Sequence, residues 1–174
     1  MIARRLTLEI CLTAAMISGP ALLAADKIAE LQAHFDHENN PVHRAHLLEK
    51  LGDAQFDETR RAFKASDMVT VGIVLEKYRD NVRVALEGLR KRHADAERDA
   101  RGYRQLEIHV RRGIREVDEI LLIVPEQFQP PLRIVRNDLD VMDTELIHML
   151  FRYRAEPSPS TGPATSLPPP GDKP

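Results

Sequence analysis

From Asp26 to about residue 153, apolar side chains recur every three or four residues. That period matches one face of an α-helix, and it constrains the fold more than any other feature of the chain. Val71, Leu75, Tyr78, Val82, Ala85 and Leu89 follow it, and Leu132, Val135, Leu139, Met142, Leu146 and Met149 follow it without a fault. The pattern breaks and restarts at three marked places. Asn39-Asn40-Pro41 offers an N-cap and a first-turn proline. Ser66-Asp67 offers a break and a cap, and Pro125 with Pro130-Pro131 bounds a short connection.

These signals predict five helices. A short one starts at Asp26 and carries Ile28, Leu31 and Phe35. The second runs from Pro41 to about Ala65, with Leu48, Leu51, Phe56, Thr59 and Phe63 inward. The third follows Asp67. The fourth starts near Gly102, with Leu106, Val110, Ile114, Val117, Leu121 and Val124 inward, and the fifth follows Pro131. Each is amphipathic and needs a partner to cover its apolar stripe. Short connections favour antiparallel neighbours. The predicted fold is therefore all-α: an antiparallel bundle of four long helices plus a short N-terminal helix. An extended coiled coil is the competing architecture, but resets at 66–67 and 125–131 leave segments too short for a rod. Burying about two dozen apolar side chains at roughly 1.5–3 kcal/mol each gives a gross term of tens of kcal/mol, most of it offset by conformational entropy.

Composition agrees with helices packed on helices. Charged residues are 30% of the chain, aromatics only 5%, and Trp is absent. The formal net charge of −2 gives no electrostatic reason to expect nucleic acid or an anionic membrane as partner. Opposite charges also interleave through 79–119 and leave no clean basic stripe.

Both termini differ from this body. Residues 1–25 read as a secretory signal peptide: Arg4 and Arg5 are followed by a mostly apolar stretch from Leu6 to Ile17, by Gly19-Pro20, and by small residues ending at Ala24-Ala25. Cleavage is expected after Ala24 or Ala25, and the product is expected to be periplasmic or secreted. The alternative, an uncleaved membrane anchor, meets an apolar run short for a span of about 20 residues, with Glu9 inside it. The single cysteine, Cys11, lies in this segment, so the mature chain would lack thiol chemistry and disulfides. Residues 154–174 hold seven of the prolines, mixed with Ser, Thr and Gly, and are expected to form a disordered tail.

Two patterns point toward metals. His34, His37, His43 and His46 form H-x2-H-x5-H-x2-H across the Asn39-Asn40-Pro41 turn, where paired imidazoles on two helix ends could share a divalent transition metal such as Zn²⁺, Cu²⁺ or Ni²⁺. The alternative is a set of solvated side chains at a helix junction. Glu145-x-x-His148 matches half of a carboxylate-bridged di-iron motif, but it occurs once, and both residues flank the apolar seam. Nucleophiles are scarce. Ser66 is the only serine of the helical body and reads as a cap, and phosphate-loop, nucleophile-elbow and H-E-x-x-H patterns are missing.

The stretches Leu47–Ala54, Arg61–Asp67 and Leu75–Tyr78, with Leu51-Gly52 matching one piece of the repeat, resemble a helical hairpin of tetratricopeptide type. Residues 26–152 as a whole resemble small exported bacterial α-helical proteins. The expected function is non-catalytic: binding of a protein partner or self-association, with a histidine metal-binding protein and an enzyme of unrecognised type as the alternatives.

Overall fold

The computed structural model describes residues 19–92, 96 and 98–151, with side chains from Asp26 onward. Residues 1–18 of the expected signal segment and the tail beyond Phe151 lie outside the described residues. Within them the chain is helical throughout: α1 (Gly19–His37), α2 (Pro41–Lys64), α3 (Met68–Arg92), α4 (Arg101–Ile123), a 3-10 turn (Glu126–Phe128) and α5 (Gln129–Leu150).

Four of the boundaries have local causes. Asn40 caps α2, its side-chain oxygen accepting from the backbone N–H groups of Val42 (3.0 Å) and His43 (3.4 Å), with Pro41 in the first turn. At the other end of α2, Ser66 takes φ 61°, the left-handed conformation; its N–H bonds the Phe63 carbonyl, and Asp67 N–H reaches back to Ala62. This is a Schellman ending with serine where glycine is usual. Asp67, not Ser66, then caps α3, accepting from both the backbone N–H and the hydroxyl of Thr70. Those bonds hold the Asp67 carboxyl below its ordinary range. Helix α4 ends at Val124, which is extended as residues before proline usually are. The Gln129 side chain donates to the freed carbonyls of Leu121 and Val124.

Two expectations are corrected. Helix α1 does not start at Asp26: it already includes Gly19, the first described residue. The expected cleavage points therefore fall inside α1. On α4 the inward face is rotated. Leu106, Val110, Val117 and Val124 are buried as expected, but Ile114 and Leu121 are only half-buried, and His109, Gly113 and Ile120 lie inside.

Close contacts fix how the helices run past one another. Phe56 meets Tyr78, and Pro41 lies by Gly88, so α2 and α3 form a hairpin of opposed helices. Asp118 pairs with Arg136 and Asp143 with Arg111, which makes α4–α5 a second opposed hairpin. Across the hairpins the direction is shared. Glu49, Asp53 and Arg60 of α2 meet Gln105, Arg112 and Glu116 of α4 in the same order. Arg83 and Arg90 of α3 likewise meet Asp138 and Glu145 of α5. The two hairpins are stacked, α2 beside α4 and α3 beside α5. Helix α1 packs on α2, and a reciprocal amide pair between Gln32 and Asn81 (2.9 and 3.1 Å) ties it to α3.

Serine in the left-handed region costs on the order of 1 kcal/mol that glycine would not. Ser66→Gly is expected to raise stability by about 0.5–1 kcal/mol in urea denaturation, whereas a loss would mean that the serine side chain contributes to the turn.

Candidate functional site

The four histidines lie where the two helix ends meet: His34 and His37 in the last turn of α1, His43 and His46 early in α2. All four are exposed. Among the described residues no three His, Cys, Asp or Glu side chains are grouped so as to hold one metal ion. The nearest carboxylate, Glu38 Oε2, is 3.9 Å from His43 Nδ1, and the other Glu38 oxygen accepts from the Asn40 N–H. The turn spends its polar atoms on capping. Glu145 points to α3, where it pairs with Arg90 at 3.1 Å, and His148 is exposed, so the E-x-x-H pair does not converge inward.

The interior polar feature lies elsewhere, at the meeting of α2, α3 and α4. His109 is only 4% exposed, and the Tyr78 and Phe56 rings beside it are fully buried. Their centroids lie 5.6 Å (Tyr78) and 5.8 Å (Phe56) from that of His109, with Tyr78 edge-on to the imidazole. Tyr78 donates its hydroxyl proton to the His109 backbone carbonyl at 3.0 Å. Asp53 and Arg112, 2.7 Å apart, close the cluster on the solvent side, and the guanidinium lies 5.9 Å from the Phe56 ring centre.

Glycines make room for these rings. A Cβ at Gly52 would fall within the His109 imidazole, and one at Gly113 would strike the Tyr78 ring and hydroxyl. At the far end of α4, a Cβ at Gly102 would come within 2.6 Å of Leu89 Cδ2. Burial holds the His109 imidazole below its ordinary range; Asp53 and Glu49 oppose this, and Arg112 reinforces it. Burial likewise pushes the Tyr78 phenol up. Both rings are thus neutral packing elements at neutral pH.

The outer surface of α4 carries a second feature. Arg104, Ile108, Arg115 and Leu122 fall within about 40° of one another around the helix, opposite the buried Leu106, Val110, Gly113 and Val117. Ile108 is 66% exposed and Leu122 85%. On the same helix Arg101, Arg111 and Arg112 are each paired with carboxylates, whereas Arg104 and Arg115 have no carboxylate partner among the described residues.

Sequence reasoning missed both features. His109 fits an apolar seam one position away from the expected one, and only Gly113 within an otherwise good helical pattern signals a close approach there. The ridge shows as two aliphatic residues seven apart on either side of Arg115, but that reading depends on knowing which face of α4 is buried. No protein-family model, characterised protein or solved structure matches the chain.

Gly113→Ala improves helix propensity yet forces Tyr78 to move. It is expected to destabilise by about 1–3 kcal/mol, while Gly72→Ala on α3, whose Cβ would meet nothing within 4 Å, is expected to be neutral or to stabilise by up to about 1 kcal/mol. Chemical denaturation of both variants compares them; equal effects would show that the cluster is loosely packed.

In the unfolded chain the His109 imidazole takes a proton near pH 6.5, and in the folded chain only at lower pH. Its contribution to stability is therefore complete above about pH 6.5 and is lost as pH falls toward the lowered folded value, at no more than about 1.4 kcal/mol per pH unit. Urea denaturation at pH 7.5 and 5.5 is expected to show wild type losing more stability than His109→Gln. The same loss in both would place the acid sensitivity elsewhere.

Proposed function

We propose that this chain is an exported, non-catalytic helical protein that acts by binding another protein, using the outward ridge of α4 as its contact surface. The observation that carries the reading is the exposure of Ile108 and Leu122 on one line of a helix whose opposite face is fully engaged. Each aliphatic side chain withdrawn from water would contribute roughly 1.5–3 kcal/mol before the costs of association. The reading is supported by an interior filled mostly by aliphatic and aromatic side chains, with Gln55, Thr59 and Asn81 as the buried polar ones besides His109, and with His109 and Tyr78 committed to packing. In this reading the helices form a bundle with mostly antiparallel connections, the N-terminal segment directs export, and the Pro-rich tail is a tether.

The test is affinity capture from the envelope fraction with wild type and with Ile108→Glu/Leu122→Glu. The double variant is expected to lose a partner that wild type retains, while Val69→Glu/Ile73→Glu, altering exposed residues on α3, keeps it. Identical captured sets from all three proteins would sink the reading. Intact mass of the envelope product tests export separately, a chain starting at Ala25 or Asp26 being the expected result.

A further inference from the structure

We propose that the partner of the α4 ridge is an acidic amphipathic helix of a different protein, with carboxylates set against Arg104 and Arg115 and aliphatic side chains against Ile108 and Leu122. This deepens the binding function proposed above and rests on it. The four ridge positions span 19 residues of α4, about 27 Å from first to last, along a single line. A helix laid against that line presents side chains at matching intervals, because both follow the same period. Running antiparallel to α4, it would need an aliphatic residue, a carboxylate seven residues on, an aliphatic residue after seven more and a carboxylate after a further four.

Charge selects the sign of the partner. Elsewhere on the stacked helices several arginines are matched, Arg79 and Arg83 to Asp138, Arg90 to Glu145 and Arg136 to Asp118, while Arg133 donates to the Gln129 side chain. Arg104 and Arg115 are exposed, have no carboxylate partner among the described residues, and share one line of their helix with the exposed Ile108 and Leu122. Glu119 borders the ridge but is not paired with Arg115, although it lies one turn away. Two guanidinium groups interleaved with two aliphatic side chains suit a helix better than a phosphate array, which would leave Ile108 and Leu122 uncovered.

The same spacing argues against a second copy as the occupant. Ile108 and Leu122 lie seven residues on either side of Arg115. A two-fold contact that buries both aliphatic residues therefore sets Arg115 against its own copy, a like-charge contact at the centre of the interface.

The experiment uses the full chain and a labelled synthetic helix carrying the stated Leu–Glu–Leu–Glu pattern on an Ala/Gln background, with a twin in which Lys replaces both Glu. By fluorescence anisotropy in 50 mM salt, the acidic peptide is expected to bind at least about tenfold more tightly than its twin, the gap narrowing at 500 mM salt as screening predicts. Arg104→Glu/Arg115→Glu should reverse the preference. Arg104→Gln/Arg115→Gln should abolish it, with the circular dichroism spectrum unchanged because both side chains are exposed. By sedimentation, wild type should be monomeric, and Arg115→Leu should associate. Equal binding of the two peptides, no binding of either, binding to anionic vesicles alone, or a wild-type dimer that Ile108→Glu dissolves would each overturn the proposal. Should the acidic peptide fail while Ile108→Glu/Leu122→Glu still loses the captured partner, the surface stands and the acidic helix does not. If both fail, the ridge is not a binding surface.

Discussion

The close seating of α4 in the groove between α2 and α3 is the constraint on which the other contacts depend. Gly102 lies against Leu89 and Val42 at one end, and Gly52 and Gly113 admit the His109 and Tyr78 rings further along. Without a Cβ at these points the helix axes can approach until the rings fill the remaining space. That approach brings Arg112 to Asp53 and Arg60 to Glu116 along the α2–α4 seam. A helix held further out would leave the same charges to water and the same rings without neighbours. Interiors lose stability steeply when packing loosens, so three residues with no side chain have a large influence on this structure.

Charge plays a supporting part with a different geometry. The arginines of α3 and the acids of α5 match in order along the length of the hairpin stack, which fixes relative direction as well as distance. Individually such exposed pairs are worth little. Their value here is in register: sliding α5 by one turn would set Asp138 and Glu145 away from Arg83 and Arg90 together.

Much of this was legible in the residues, and the failures have physical causes. The Asn40-Pro41 start and the 66–67 break are written in local chemistry, and both were found. The inner faces of α2, α3 and α5 follow from simple periodicity, and Leu48, Val71, Leu139 and their neighbours are buried where the pattern put them. On α4 the pattern misled, because a histidine and a glycine occupy inward positions while Ile114 and Leu121, which keep the apolar period, sit at the flanks. Asp138, Asp143 and Glu145 find their partners on α3 and α4, more than a dozen residues away, where no local pattern can show them. The His34–His46 spacing was plain, but spacing alone does not aim four imidazoles at one point.

Stacking the second hairpin in the same sense as the first relates the pair by something close to a translation. Translation, unlike rotation about a central axis, does not bring an assembly back to its beginning, so the two outermost flanks of such a molecule need not resemble each other. Here α1 shelters one of them, and no comparable helix rests on the other among the described residues. The molecule thus has a head and a foot, and whatever meets it will meet two unlike ends.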